Sequence, residues 1–201
     1  GLPVVTFLHA GNEEAAVSAA RRIGYPVAMK MNSQDVTHKS DAGGVVLDVT
    51  DDSGARQAFR RIADAVRRAN ARDGGVLVCA MVPPGREVIV GVIRDLQFGH
   101  AVMFGMGGVL VEAFGDVSFR LVPLSEKDAA EMVDGIRGAR LFRGYRGGPA
   151  ADKDAIRRLL LQVSEFVTRH PEIAELDLNP VIVHEKGLRI VDARVVYELG
   201  T

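Results

Sequence analysis

The sequence predicts an α+β fold, and three of its features support this prediction. Segments in which apolar residues alternate as in a strand are interleaved with segments of helical period, without the regular alternation of a doubly wound parallel sheet. Apolar residues make up 47% of the 201 positions, as in a well-packed globular protein. Glycine occurs 22 times, which supplies residues that can end helices and form tight turns.

The first half of the chain is predicted to form two helices and four strands. An alanine-rich helix runs from Glu13 to Ile23 and ends at Gly24, since glycine favours a helix stop. Apolar residues at three- and four-residue steps between Ala55 and Ala69 predict a second helix with arginines on its other face. Apolar runs typical of strands cover Val4–Leu8, Tyr25–Met31, Val45–Val49 and Val76–Val82.

The second half is predicted to contain more strands than helices. A capping box at Ser125–Asp128 begins a helix that Gly138 would end, and another helix extends from Asp152 to Arg169. Strands, the last two of them forming a hairpin, are expected at Glu87–Val92, His100–Phe104, Val109–Phe114, Val117–Val122, Leu176–Val183 and Leu188–Val196.

The Asp73-Gly74-Gly75 turn is the natural boundary between two parts of the chain. We therefore predict an N-terminal subdomain of residues 1–75 and a C-terminal subdomain of residues 76–201. No internal repeat, low-complexity tract or long linker interrupts either part of the sequence.

Composition excludes several classes of function. Basic and acidic residues number 25 and 26, so the net charge of −1 gives no general attraction to nucleic acid or an anionic membrane. A single cysteine, Cys79, excludes an internal disulfide framework and a cysteine-rich metal site. No apolar run reaches the roughly 18 residues that span a bilayer, and no basic-then-apolar leader opens the chain. We expect a cytoplasmic protein that binds neither nucleic acid nor membrane.

Two features of the first half could bind phosphate. Lys30 lies in an otherwise apolar strand, where a buried charge needs an anionic partner; the alternative is an edge strand with Lys30 facing water. The loop His38–Gly44 combines an imidazole, a cation, a hydroxyl, a carboxylate and two glycines. Neutral imidazole is a competent nucleophile towards phosphorus, and a glycine pair lets backbone N–H groups approach an anion. The alternative for this loop is a solvated surface turn.

Two features of the second half could also bind a nucleotide. The Gly105–Gly108 segment lacks both the helix of a dinucleotide fingerprint and the Gly-Lys-Ser/Thr ending of a P-loop, and a hairpin turn would explain it equally well. Glu175, Asp177 and Asn179 alternate on one strand face, and Asp192 lies on the returning strand; in a hairpin, Asn179 and Asp192 could point into the same cleft. These two could form an oxygen pair of the kind that holds Mg²⁺ on nucleotide phosphates; the alternative is the solvated face of an edge hairpin.

Seven stretches, in order along nearly the whole chain, together resemble one family of proteins. This family is the beta-subunit-type ATP-grasp domain of ADP-forming acyl-CoA synthetases, which are relatives of succinyl-CoA synthetase. The stretches are residues 24–30, 38–45, 85–92, 104–108, 116–120, 144–147 and 176–180. The resemblance implies an ATP-grasp fold in which two α+β subdomains hold ATP and Mg²⁺ between them. It also implies the reaction ATP + carboxylate + CoA giving ADP + phosphate + acyl-CoA.

The resemblance further implies a role for individual residues. Lys30 would contact the ATP phosphates and Glu87 the ribose hydroxyls, while His38 matches a histidine that relays phosphate towards a separate acyl-CoA site. Arg120 and Arg146 match arginines that steady phosphate charge. The implied nucleotide-binding residues are Lys30, Val82, Glu87, Gly105, Gly107 and Gly108, and the implied Mg²⁺ ligands are Asn179 and Asp192.

The sequence departs from the family pattern at the hinge that holds adenine. The family often carries Gln-Glu before the Met-Val of this strand, where this chain has Cys79-Ala80. Ala80 would leave the adenine amino group to backbone carbonyls.

The resemblance implies partners and leaves two other functions open. CoA-binding and ligase domains would lie on an alpha-type subunit or a fused region, within an oligomeric assembly, and this chain alone would bind nucleotide without completing a turnover. One alternative is a non-catalytic regulatory module, such as those fused to protein acetyltransferases. The other is a different ATP-grasp carboxylate ligase, which would form an acyl phosphate without a histidine relay.

Overall fold

The computed structural model describes residues 1–33, 35–36, 39–72, 74–108, 115–144 and 149–198. Contacts divide the chain into two compact units: an N-terminal unit, Val5–Val82, and a C-terminal unit, Gly1–Val4 with Pro83–Thr201. Each unit combines helices with an antiparallel sheet, which confirms the α+β prediction. Among the described residues, none of the helices has both the length and the apolar character needed to cross a bilayer.

The N-terminal unit pairs its strands in the order β1-β4-β2-β3. Its described elements are β1 (Phe7–Ala10), α1 (Glu13–Ile23), β2 (Val27–Met31), β3 (Val45–Val49), α2 (Asp52–Arg68) and β4 (Val76–Ala80). Because β4 hydrogen-bonds to both β1 and β2, it belongs to this unit by its contacts. The division of the domain at residue 75 stays a prediction.

The helices of the N-terminal unit begin at residues whose side chains cap them. Asn12 accepts a hydrogen bond from the Ala15 N–H at 2.8 Å, and Asp51 accepts one from the Gly54 N–H at 2.7 Å. Such caps satisfy backbone donors that have no partner inside the helix. Both helices then pack their small and branched apolar residues on one face of the sheet, the face of Met29.

The C-terminal unit forms a larger sheet, ordered β10-β8-β5-β6-β7, with β9 paired to β8. Its described strands are β5 (Arg86–Asp95), β6 (Gly99–Met106), β7 (Val117–Leu121), β8 (Ile173–Val183), β9 (Leu188–Ile190) and β10 (Ala193–Tyr197). Its described helices are α3 (Glu126–Gly135), the 3₁₀ helix Arg137–Arg143 and α4 (Lys153–Arg169).

One face of the C-terminal sheet carries the core of this unit. Val90 and Val102, which alternate with residues of the opposite face, are fully buried together with residues of α3 and α4. The opposite face includes half-exposed apolar side chains such as Ile93, at 56%, and Phe119, at 50%. Successive strand residues point to opposite faces, so the sheet has a core face and an open face in this unit.

Two details of the C-terminal unit differ from the sequence predictions. The helix begun by the Ser125 capping box, which is confirmed, ends at Gly135 and not at Gly138. Ile136 is extended there, with φ −75° and ψ 148°, and Gly138 lies inside the following 3₁₀ helix. The returning strand of the final hairpin is split into β9 and β10, both paired to β8. The strand predicted at residues 109–114 lies outside the described residues.

Asp152 joins two elements of the C-terminal unit. Its carboxylate accepts hydrogen bonds from the Ala155 N–H at 2.9 Å, at the start of α4, and from the Gly187 N–H at 2.8 Å, in the β8–β9 turn. These backbone donors, Gly187 first, lower the pKa of Asp152 below its ordinary value of 3.8. They stabilise the ionised form, so the carboxylate contributes to stability where it is charged.

The Asp152→Ala variant is expected to lose about 1–2 kcal/mol of the free energy of unfolding at neutral pH. Because the folded-state pKa is lowered, this contribution is complete above the ordinary pKa of 3.8 and is lost as the pH falls towards the folded-state pKa. Urea unfolding of the wild type and the variant at neutral pH and at about pH 3 measures this contribution. The difference between their free energies of unfolding should be smaller at pH 3 than at neutral pH. An equal difference at both pH values would contradict this explanation.

Candidate functional site

Lys30 is a buried cation in the middle of the N-terminal sheet. It pairs with Val45 of β3 and Leu77 of β4, so it lies on an inner strand, and it is only 6% exposed. The alternative of an edge lysine facing water is therefore wrong. Lys30 alternates with Met29 and Met31, which enter the helix-covered core, so it belongs to the opposite face. A buried ammonium group on that face is suited to an anionic ligand.

The loop between β2 and β3 is anchored on both sides of the predicted relay residue. Before it, the Asp35 carboxylate accepts from the Arg72 backbone N–H at 2.8 Å and from its guanidinium at 2.9 Å. The guanidinium first, and then this N–H, lower the pKa of Asp35. After it, the Lys39 carbonyl accepts from the Gly44 N–H at 2.7 Å. His38 itself lies outside the described residues.

The predicted adenine hinge lies at the end of β4. The Ala80 N–H donates to the Thr6 carbonyl at 2.9 Å, which fixes the end of the strand. Val82 is half-buried and ends the N-terminal unit.

Glu87 and the glycine segment are in contact within the C-terminal unit. The Gly107 N–H donates to the Glu87 carbonyl at 2.8 Å, and a Cβ added at Gly107 would lie 2.8 Å from the Glu87 Cβ. Gly108 has a φ of +68°, and a Cβ there would lie 3.5 Å from Oε2 of Glu87. A Cβ at Gly105 would lie 2.8 Å from Val117 Cγ1. A side chain at Gly105 or Gly107 would overlap these neighbours, so close packing alone explains both glycines. Gly108 lies beside the Glu87 carboxylate.

Asn179 and Asp192 are brought to opposite positions. The Asn179 N–H donates to the Asp192 carbonyl at 3.2 Å, and Oδ1 of Asp192 accepts from the Ala193 N–H at 3.1 Å. The register of β8 against β5 shifts at this point, as at a β-bulge. A bulge re-aims side chains locally, and Asn179 is exposed while Asp192 is half-buried. The hairpin that β8 forms with β9 and β10 lies at the edge of the sheet, so the magnesium site and the alternative of a solvated face both stay predictions.

The donor set at this pair fits Mg²⁺ carried by a nucleotide. An amide oxygen and a carboxylate oxygen are hard ligands, and Mg²⁺ on phosphates keeps most of its remaining positions for phosphate and water. Within the described ranges no group of three or more His, Cys, Asp or Glu residues could hold a metal by itself. The pair is thus suited to a cation that arrives with its own phosphate ligands.

Glu87 and Arg120 lie on opposite faces of the C-terminal sheet. Glu87 precedes Val88, which is fully buried in the core, so Glu87 lies on the open face. Arg120 pairs with the core residue Val102 and therefore lies on the core face. There it donates to Glu131 Oε2 of α3 at 3.2 Å. The structure does not bring Arg120 to Glu87, and these contacts give it a bridging role between β7 and α3.

Arg146, the other arginine predicted to steady phosphate charge, lies outside the described residues. Sequence reasoning missed Asp116, whose carboxylate accepts from the Arg137 N–H at 2.7 Å and the Gly138 N–H at 2.6 Å. The sequence contained one signal for it, the place of Asp116 at the head of the 116–120 stretch. Its partners follow 21 and 22 residues later, too far apart for any local pattern.

Comparisons with known proteins identify the family of this chain. The model of the ATP-grasp domain family matches residues 1–197. The beta subunit of ADP-forming acetate–CoA ligase I from Pyrococcus furiosus is 46% identical over 198 residues, which cover 98% of this chain and 85% of that subunit. The ADP-forming acetate–CoA ligase I of Archaeoglobus fulgidus is 49% identical over 98% of this chain, which spans 29% of that longer protein.

Solved structures show the same fold. The dinucleotide-forming acetyl-coenzyme A synthetase 1 of Ca. Korarchaeum cryptofilum, in complex with coenzyme A, Ca-AMPCP and HgCl⁺, matches with a TM-score of 0.95 and 46% identity, over 98% of this chain and 87% of that one. The same protein with coenzyme A and Mg-AMPPCP, its phosphohistidine segment pointing towards the nucleotide binding site, matches with a TM-score of 0.84 and 42% identity, over 98% and 86%. This chain belongs to the ATP-grasp domain family, in the branch of the ADP-forming acyl-CoA ligases.

Proposed function

We propose that this chain is the ATP- and Mg²⁺-binding module of an ADP-forming acyl-CoA ligase. The observation that carries the proposal is the Asn179–Asp192 pair, set in a sheet that also holds Glu87 against Gly107. A relative that matches 98% of this chain binds Mg-AMPPCP, a nucleotide that carries Mg²⁺. The whole reaction consumes ATP, a carboxylate and CoA and yields ADP, phosphate and acyl-CoA.

The residues proposed to bind the nucleotide have different roles. Lys30 would bind the phosphates, since an ammonium group kept from water interacts strongly with an oxyanion. Glu87 would accept hydrogen bonds from the ribose hydroxyls. Gly105, Gly107 and Gly108 form the backbone beside Glu87, and Val82 would line the adenine.

Asn179 and Asp192 would hold the Mg²⁺ that accompanies ATP. When bound, the ion supplies neutralisation of phosphate charge, on which phosphoryl transfer depends more than on covalent assistance. The chain would contribute an amide oxygen and a carboxylate oxygen from two residues whose backbones are joined by the Asn179 N–H bond to the Asp192 carbonyl.

His38 is proposed to carry the phosphoryl group between ATP and the acyl site. An imidazole nitrogen takes the γ-phosphoryl group and ADP leaves; the phosphohistidine then passes the group to a carboxylate, and the thiolate of CoA displaces phosphate from the acyl phosphate. His38 would receive the phosphoryl group either directly from ATP or from a phosphohistidine of a partner. Arg146 would steady the phosphate charge; Arg120 would do so only after leaving Glu131.

The acyl chemistry is proposed to need further domains. Relatives carry the matching region either as a beta subunit, of which this chain spans 85%, or within a protein of which it spans 29%. The CoA-binding and ligase parts would accordingly lie on an alpha-type subunit or on a fused region, in an oligomer. The cytoplasm is the proposed location.

Titration calorimetry with ATP in the presence and absence of Mg²⁺ tests this function. The wild-type protein is expected to bind ATP only with Mg²⁺, and the Lys30→Met variant is expected to bind about a hundredfold more weakly because a charge-assisted contact is lost. The exposed Lys186→Met variant, which changes the β8–β9 turn, should bind as the wild type does. No binding by the wild type would refute the proposed function, and equal binding by the Lys30 variant would remove Lys30 from the site.

A further inference from the structure

Asp116 lies between the end of β6 and the start of the 3₁₀ helix. Its backbone carbonyl oxygen lies 2.9 Å from the place where a Cβ on Gly105 would stand. Its carboxylate accepts the N–H groups of Arg137 and Gly138, which are the first residues of the 3₁₀ helix. A carboxylate that satisfies two donors at a helix start fixes the direction in which that helix sets out.

The 3₁₀ helix in turn presses on β6. Gly138 lies so close to Met106 that any Cβ at position 138 would overlap the Met106 side chain. Met106 is 4% exposed and is the last residue of β6. The helix also packs on the sheet through its own residue Phe142, which is 1% exposed. The ring centroid of Phe142 lies 6.4 Å from that of Phe104 in β6.

Met106 is followed directly by the glycines that contact Glu87. Met106 is bonded to Gly107 and pairs with Val88, the residue after Glu87, so a displacement of Met106 also shifts the backbone that carries Gly107 against Glu87. The contacts therefore run without a break from Asp116 through Gly138 and Met106 to Gly107 and Glu87.

We infer that Asp116 is a positioning residue for the nucleotide site: through the start of the 3₁₀ helix it holds Met106, and with it the glycine segment, against Glu87. This inference rests on the proposed function and adds to it a residue outside the set proposed to bind the nucleotide and the metal. Supporting residues of this kind set the precision of a binding site, since the contacting groups must already be in place when the ligand arrives.

Asp152 provides a matched control for Asp116. Both are aspartates of the C-terminal unit, and each accepts two backbone N–H groups that start a helix or a turn. Removing either carboxylate leaves two such donors without their acceptor, and the expected loss of stability is of the same kind. Only Asp116 is connected by contacts to Met106 and Gly107. A purely structural role would make the two variants alike in ligand binding.

The test measures the dissociation constant of ADP with Mg²⁺ by titration calorimetry, with the full chain held well below the thermal transition of every variant. Asp116→Ala is expected to raise the constant about tenfold, as a loss of about 1.4 kcal/mol in binding would do. Asp116→Asn should fall between it and the wild type, because an amide oxygen can still accept one N–H. Asp152→Ala should leave the constant unchanged.

A second variant approaches the same contact from the other side. Gly138→Ala keeps the Asp116 side chain but adds a Cβ that would overlap Met106 Cγ and lie 3.1 Å from Asp116 Oδ2. Met106 must therefore move, and ADP binding should weaken in the same direction. Binding by Asp116→Ala equal to that of the wild type, or equal weakening in Asp152→Ala, would overturn the inference while the proposed function stands. If Asp116→Ala does not fold, Asp116→Asn and Gly138→Ala decide by the same comparison. Absence of ADP binding in the wild type would instead refute the proposed function, and the inference with it.

Discussion

Replacing His38 with alanine is expected to abolish CoA-ligase activity, by roughly a thousandfold or more, while Mg²⁺-dependent nucleotide binding is retained. Alanine offers no nitrogen that could accept a phosphoryl group, whereas Lys30, Glu87 and the Asn179–Asp192 pair are unchanged in this variant. The measurement is acyl-CoA formation by the complete assembly, together with calorimetry of nucleotide binding.

The control for this experiment is an exposed histidine outside the proposed site. His170 at the end of α4 hydrogen-bonds Glu172 at 3.1 Å, and the His170→Ala variant is expected to keep full activity. Unchanged activity in His38→Ala would remove the histidine relay and favour a carboxylate ligase that forms its acyl phosphate directly from ATP. Loss of both activity and nucleotide binding would mean that the loop around His38 serves binding instead.

The largest effect on stability is expected at Phe142. This side chain is 1% exposed and packs in the C-terminal core beside Phe104. Its replacement by alanine should lower the free energy of unfolding by about 3–5 kcal/mol, because the lost burial is accompanied by a cavity that neighbours fill only in part. Urea unfolding measures the difference.

An exposed phenylalanine of the same unit provides the comparison. Phe98, in the turn between β5 and β6, is 65% exposed, and Phe98→Ala should change the free energy of unfolding by no more than about 0.5 kcal/mol. A loss below about 1 kcal/mol in Phe142→Ala would contradict the packing of the 3₁₀ helix on the sheet.

The helices could be predicted from the sequence because each buries one stripe of residues. In α2 the buried residues Ile62 and Val66 recur at the helical period, and in α4 Leu159 and Val163 do the same. Strand order could not be predicted in this way. Whether β2 is an edge or an inner strand depends on its pairing with β4, which follows it only after another strand and a helix.

The residue types of the candidate site were predictable, and their arrangement was less so. Asn179 and Asp192 were expected to share a cleft, and the structure pairs their backbones. The sequence does not predict the face on which Arg120 lies, because that face depends on the register of β7 against β6. The split of the last strand into β9 and β10 is equally a matter of register: both segments hydrogen-bond the same long strand at different places.

The end of α3 shows a limit of reasoning from glycine. Gly138 looked like a helix stop, yet the helix ends earlier and Gly138 is needed for its closeness to Met106. Glycine permits both unusual backbone angles and close approach, and sequence alone does not tell which of the two a position requires.

The two faces of the C-terminal sheet bear on how such a module can diverge. Residues that bury the core, such as Val88, alternate with residues of the open face, such as Glu87. A substitution at Glu87 or Asn179 therefore removes no side chain from the hydrophobic core. Over many generations the preference for a nucleotide or cation can drift at positions such as Glu87 and Asn179, while selection for a folded chain acts on their immediate neighbours.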